Sequence, residues 1–212
     1  MDLNKLSHKI LTILNRDAQS IVSVNSMSSP RSIGDAVQEF LAQKGLAEAL
    51  SEIGISHIDS DFSRRSMEDI AFEDNNGNYY AIDVKTHNLS TQFNMPNLIS
   101  VRRIANFYRN DSNTFCILIV SYKVIDNKLE YGECYFKPIE AFSWDCLTLG
   151  ALGWGQIQIA NANNLLFNQT VSRKQWMLDM CDRLELFYNE EIGKIVERKN
   201  WFSKIRQEWE SK

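Results

Sequence analysis

Residues 69–85 read DIAFEDNNGNYYAIDVK. Ile70-Ala71-Phe72 and Tyr79-Tyr80-Ala81-Ile82 carry the aromatic and β-branched residues that suit a pleated surface, and Asn75-Asn76-Gly77 between them is a hairpin turn signal. The stretch predicts two antiparallel strands, with Asp69 just ahead of the first and Asp83 near the end of the second. Side chains two apart in a strand project from one face about 6.6 Å apart. Ala81, Asp83 and Lys85 therefore share a face, while Ile82 and Val84 anchor the other in the core. Pairing of the strands returns Asp69 to the side of Asp83, so two carboxylates and a lysine converge at one sheet edge.

Outward from this hairpin, TFCILIVSYKV (residues 114–124) is too continuously apolar to have a wet face and predicts a buried strand. A turn at Asp126-Asn127 leads into a further strand, LEYGECYFKPI (residues 129–139). Between hairpin and buried strand, a helix is expected over Asn97–Tyr108. Upstream, the apolar spacing of Leu3, Leu6, Ile10, Leu11 and Leu14 predicts a first helix. The Ser-rich stretch SVNSMSSPRS (residues 23–32) reads as a loop. A second helix is expected from Ser32 or Ile33 to Gly54, with Val37, Phe40, Leu41, Leu46 and Leu50 inward and Asp35 and Glu39 on one face. Downstream, residues 154–159 (WGQIQI) alternate, an Asn-rich loop follows, and a long helical region runs from Ser172 to Trp209.

Strands interleaved with helices predict an α/β fold, a mixed central β-sheet flanked by α-helices. With 212 residues and 44% hydrophobic content, one domain is the expectation. It comprises N-terminal helices over residues 1–55, a core over 56–145, and a strand, loop and C-terminal helix over 146–212. No run of 18 apolar residues occurs, and the N-terminal MDLNKLSHKILTILNRD is amphipathic with charges at both ends. A cytoplasmic protein without membrane contact is expected. Cys116, Cys134, Cys146 and Cys181 are scattered singly, which argues against a disulfide framework or a zinc site and for buried thiols. The net charge of −4 gives no whole-protein basic field, which disfavours a nonspecific nucleic-acid coat.

The acid pair and lysine have a chemical use together. Mg²⁺ takes carboxylate oxygens in octahedral geometry and keeps several waters, so Asp69, Asp83 and the Val84 carbonyl suit it. Such a cation lowers the pKa of a coordinated water and neutralises charge on a phosphate under in-line attack. Lys85 can position or deprotonate that water. Glu39, or alternatively Asp35, is a candidate to complete the acidic cluster. The bland alternative is an alternating pair on a solvated strand edge, since Asp-x-Lys alone is common. His8, His57 and His87 show no ligand spacing and read as surface or hydrogen-bonded polar groups.

These residues resemble the PD-(D/E)xK nucleases, and within them the type II restriction endonucleases of the EcoRV and HincII kind. The resemblance is most specific over DVKTHNLSTQFNMPNLIS (residues 83–100), with a second patch at Gln156–Ile159 and Arg173–Trp176. Glu68 stands where the family's first motif has proline. The resemblance implies a restriction-endonuclease-like core in which Asp69 and Asp83 bind Mg²⁺ and Lys85 is the catalytic lysine. It further implies a homodimer that cuts palindromic double-stranded DNA in a bacterial cytoplasm, leaving blunt ends with 5′-phosphates. The base-contacting loop falls on Asn94, Met95, Pro96 and Asn97, with Asn88 and Gln92 ahead of it. A second recognition element falls on residues 150–158, with Trp154, Gln156 and Gln158, followed by Asn161 and Asn163. Amide side chains there can pair with adenine in the major groove, although Asn94–Asn97 also read as caps of a following helix. Arg102, Arg103, Arg109, Arg173 and Lys174 are phosphate-contact candidates. A repair or mobile-element endonuclease, a catalytically inactive DNA-binding module and a metal-free interaction protein are the competing readings.

Overall fold

The expected hairpin forms. In the computed structural model, which describes residues 1–22, 29–51, 54–55, 57–61, 66–168 and 170–212, strand β1 (Ile70–Glu73) pairs antiparallel with β2 (Tyr79–Asn88), Ile70 opposite Ile82. The connection is longer than a two-residue Asn-Gly turn. Asp74 organises it, its carboxylate accepting from the amides of Asn76 at 2.9 Å and Asn78 at 3.0 Å, while Gly77 supplies the positive φ of 76° that closes it. Because β2 continues to Asn88, Asp83 lies at mid-strand rather than near its end.

One residue after β2 leaves the sheet, the chain enters the polar segment 89–96 and then β3 (Asn97–Ser100), where a helix was expected to start. Leu98 and Ile99 are buried, and that burial holds the segment extended. Helix α4 (Val101–Phe107) begins only after Ser100, whose hydroxyl caps the Arg103 amide at 3.4 Å. Asn94–Asn97 are therefore not its caps. Strand β4 (Asn113–Ile125) pairs parallel to β2 with Asp83 opposite Ile117, and β5 (Lys128–Pro138) returns antiparallel through Asp126 and Asn127, both left-handed at φ 49° and 57°. The first sheet thus has the mixed order β1-β2-β4-β5. Strands β6 (Leu147–Gly150) and β7 (Gln156–Ile159) join β3 in a second, antiparallel sheet of order β3-β7-β6.

Each face of the first sheet has its own core. Ile82, Val84, Leu118 and Val120 pack against three N-terminal helical pieces, α1 (Leu3–Ile21), α2 (Pro30–Phe40) and α3 (Leu46–Ser51). On the opposite face Ala81, Phe115, Ile117 and Ile119 meet Ile99, Ile104, Ile157 and Trp176. Each aliphatic side chain so buried contributes about 1.5–3 kcal/mol.

Helix α2 starts at Pro30, earlier than expected, because proline suits the first helical position and Ser29 caps the Ser32 amide. A π-helical turn at Leu41–Gly45 separates it from α3. Val37, Leu41, Leu46 and Leu50 are buried as expected, whereas Phe40 is only partly so. Of the loop expected over residues 23–32, residues 23–28 lie outside the described residues and 30–32 belong to α2; residues 52–53 near the end of the expected second helix also lie outside the described residues. The C-terminal helix α5 (Arg173–Glu210) follows the Ser172 cap. Cys116 and Cys146 are buried and Cys134 partly so, but Cys181 is exposed on α5, a correction to its reading as a buried thiol. Among the described residues no helix is long and apolar enough to cross a membrane.

Candidate active site and its neighbouring loops

Asp69 lies one residue short of β1. Its amide donates to the Ile82 carbonyl at 2.8 Å, carrying the hairpin ladder one step further, and its Oδ2 accepts from the Val84 amide at 2.8 Å. A strand residue presents its N–H and C=O to the same edge, so the Val84 carbonyl faces the same edge as Asp69. Lys85 Nζ lies 3.4 Å from that carbonyl and donates to Asp83 Oδ1. The three groups that spacing predicted to converge do so around Val84.

Asp83 is buried, 6% exposed, and its Oδ2 has no hydrogen-bond partner. Burial pushes its carboxyl up to about 7; the negative charge of Asp69 adds to the rise, and Lys85 opposes it. A buried carboxylate oxygen without a donor costs stability unless it meets a proton or a cation. Asp69, the unpartnered oxygen of Asp83 and the Val84 carbonyl form an all-oxygen donor set. Their chemistry fits a hard divalent cation that keeps waters in its remaining positions.

Glu39 does not complete this set. It projects from α2 into an open cleft lined by Asp35, Gln43, Ser60 and Asp69, and its carboxylate accepts from Gln43 Nε2 at 2.9 Å. Among the described residues no three Asp, Glu, His or Cys side chains form a group that could hold a metal ion, so the expected three-acid cluster is corrected to a pair. Asp69 links the pair to the cleft, where Asp35 and Glu39 are both exposed.

Beyond the acids, β2 delivers His87 on the same face, two residues after Lys85. His87 is buried, 3% exposed, with Nε2 at 2.8 Å from Asn163 Oδ1 and Nδ1 at 3.2 Å from Asn94 Nδ2. Asn163 in turn donates to the carbonyls of Thr91 and Gln92 at 3.0 and 3.1 Å, and Asn161 Oδ1 accepts from its backbone. Asn88 turns the chain out of β2 by accepting from the Ser90 amide at 2.9 Å. The segment after β2 is thereby tied to the loop after β7. His87 is thus a hydrogen-bonded polar group, one of the two readings its sequence context allowed, and the period-two run Asp83, Lys85, His87 is the signal that places it on the face of the acids.

A second pair of amides meets in the other sheet. Asn97 and Gln158 are cross-strand partners, with Gln158 Nε2 donating to Asn97 Oδ1 at 2.5 Å. Ile157 and Ile159 point inward, leaving Gln156 and Gln158 on the outer face. Gly150 leaves room for this pair, since a Cβ there would lie 2.7 Å from the Gln158 side chain. Met95 is exposed, as are Phe93 and Trp154, and the Arg102 guanidinium stacks over the Trp154 ring at 4.8 Å. Arg103 reaches the Ser66 carbonyl at 3.3 Å; Arg109 and Lys174 are exposed.

No protein-family model matches the chain, and no curated protein matches it.

Arg173 is placed differently from its expected phosphate role. Its guanidinium donates to Glu140 Oε1 at 2.9 Å, to the Asp111 carbonyl at 3.2 Å and to Thr114 Oγ1 at 3.3 Å, and stacks over the Tyr108 ring at 4.3 Å. Tyr108 completes the cluster by donating to Glu140 Oε2 at 2.6 Å. Arg173 anchors the start of α5 against the first sheet, leaving its donors engaged within the chain. Adjacent sequence positions gave no sign of this, because its partners lie 33 to 62 positions away.

Proposed function

We propose that the chain is a Mg²⁺-dependent endonuclease with a restriction-endonuclease-like PD-(D/E)xK core, hydrolysing phosphodiester bonds in palindromic double-stranded DNA as a homodimer. The observation that carries this reading is the buried, unpartnered oxygen of Asp83 beside Asp69 and Lys85. Asp69, Asp83 and the Val84 carbonyl would hold the cation, which supplies charge neutralisation and an acidified water when bound. Lys85 holds a water for in-line attack on phosphorus and accepts or shares its proton. The P–O3′ bond breaks, leaving a 3′-hydroxyl and a 5′-phosphate, with blunt ends implied by the resemblance over residues 83–100. The mixed order β1-β2-β4-β5 with helices packed on one face supports the fold part of the proposal.

Segment 89–97 and β7 supply the reading groups: Asn94, Asn97, Gln156 and Gln158 as amides, with Met95 exposed between. Arg102, Arg103 and Lys174 remain phosphate candidates on exposed positions. The test is digestion of plasmid DNA with Mg²⁺ by the unaltered chain and by Asp83→Asn and Lys85→Ala. Discrete fragments that disappear in both variants support the enzyme. Nicking at branched structures without fixed fragments redirects the proposal to a repair or mobile-element nuclease. Binding without cleavage in any divalent cation overturns it in favour of a DNA-binding module.

A further inference from the structure

Helix α5 spans 38 residues, about 57 Å at 1.5 Å per residue, yet its buried residues are Trp176 and Met180, both in its first eight positions. Leu184 still packs against the core that holds Trp176 and the Tyr188 hydroxyl donates to the Trp154 carbonyl at 2.5 Å, and beyond Tyr188 the helix carries large apolar side chains in solvent: Ile192 is 59% exposed, Phe202 64% and Trp209 68%. A helix that neither packs on a core nor buries a face is marginal in water by itself. Tyr188, Ile192, Ile195, Phe202 and Trp209 follow one another at intervals of four, three, seven and seven residues. The intervals fit a seven-residue repeat, the period of a seam between two helices, with Lys199 and Arg206 at the positions that the two longer intervals skip.

Charge along the helix says what fits the seam. Residues 184–191 (LELFYNEE) carry three acids and no base, while residues 198–206 (RKNWFSKIR) carry four bases and no acid. A second copy running parallel sets acid against acid and base against base. A second copy running antiparallel, with its two-fold axis beside Ile195, sets each acidic stretch against the other copy's basic stretch. It also sets Tyr188 of each copy near Phe202 of the other and covers about 21 Å of seam between them. The pairs Lys194–Glu191 at 2.7 Å, with Glu191 half-buried, and Arg206–Glu210 at 2.7 Å lie within one helix.

We propose that the projecting half of α5 is a self-association surface that takes the same helix of a second copy of this chain in antiparallel orientation. The closed two-fold pairing is the commonest arrangement of identical chains. The proposal rests on the homodimer of the proposed function and names its surface; its test uses no DNA, so it holds or fails separately from cleavage.

Sedimentation equilibrium of the full chain over a range of concentrations is expected to show a dimer. Ile195→Glu and Phe202→Glu, each on an exposed side chain, are expected to shift the mass to that of a monomer while leaving the thermal unfolding of the sheet core in place. Reversal of Glu190 and Glu191 to lysine is expected to weaken the dimer at low salt, and added reversal of Lys199 and Lys204 to glutamate to restore it. A monomer at every concentration overturns the proposal. So does a dimer untouched by the Ile195 and Phe202 changes, and a failure of the second reversal to restore pairing overturns the antiparallel orientation. A monomer at every concentration also removes the homodimer from the proposed function, whereas a dimer untouched by the Ile195 and Phe202 changes places it on another surface; plasmid cutting is decided by its own assay in each case.

Discussion

His87 and Asn163, 76 positions apart, meet at 2.8 Å between a ring nitrogen and an amide oxygen, joining the strand that carries Asp83 and Lys85 to the loop that follows β7. Asn94 holds the other ring nitrogen. A neutral imidazole that donates from Nε2 and accepts at Nδ1 satisfies both neighbours, an assignment made from their hydrogen-bonding roles. Replacing His87 by alanine removes both links and leaves a void. The expected cost is about 1–3 kcal/mol, or roughly 2–12 °C in melting temperature for a chain of this size. Thermal denaturation measures it; a variant that melts with the parent would show that the links contribute nothing to the fold.

Asp83 sets a pH dependence whose sign is fixed. In the folded chain its carboxyl keeps its proton up to about 7, whereas in the unfolded chain it ionises near 3.9. Between those values the folded state binds more protons, so without a divalent cation Asp83 makes stability fall as pH rises from about 4 to 7. Binding a cation requires the ionised form, so Mg²⁺ affinity should increase over the same interval and level off above it. Calorimetric titration with Mg²⁺ at pH 6 and pH 8 tests this. Equal affinities at both would rule out Asp83 as a ligand.

Asp83→Asn separates the two uses of the residue. The amide keeps the shape and removes the buried charge, so unfolding in urea without Mg²⁺ is expected at the parent concentration or higher at pH 8, while cleavage is lost. A large loss of stability would assign Asp83 a structural role instead.

Arg173→Ala is expected to destabilise the chain by about 2 kcal/mol or more, because Glu140 keeps its charge with the Tyr108 hydroxyl as its remaining side-chain donor. Urea denaturation gives the number. DNA binding by the folded variant should match the parent, opposite to what a phosphate contact predicts; a binding defect at full stability would restore that contact.

Asn97→Ala and Gln158→Ala should each relax discrimination between the cleaved sequence and its single-base variants, by about 1–3 kcal/mol per lost base contact. Since the two amides bond each other, the double variant should lose less than the sum. Competition binding with matched and mismatched duplexes measures all three, and additive losses would show that the amides act separately.

Local pattern made the hairpin, the buried β4 and the two-residue turn at Asp126-Asn127 legible, because each depends on neighbours within a few positions. The convergence of Asp69, Asp83 and Lys85 was legible for the same reason, following from period two and one strand pairing. What resisted reading were outcomes of distant packing. Asn97–Ser100 became a strand because β7, some sixty positions on, offered an edge to pair with. Arg173 turned inward because Glu140 and Thr114 arrive from other elements. Glu39 shares a helical face with Asp35 as expected, yet the placement of α2 over β2 leaves it on the cleft wall, bonded to Gln43.

Strand β2 is hydrogen-bonded to β4 along its whole length and to β1 over Tyr79–Ile82, whereas the segment 89–96 that leaves it is held by side-chain links and a few backbone contacts. Local opening of the segment therefore leaves the sheet intact, while opening at Asp83 means dismantling it. Amide exchange should divide accordingly, slow around Asp83 and fast across Ser90–Phe93. Over generations the same division lets residues of the segment change without disturbing the strand beside it, so whatever the segment contacts can drift while the carboxylates and Lys85 stay fixed.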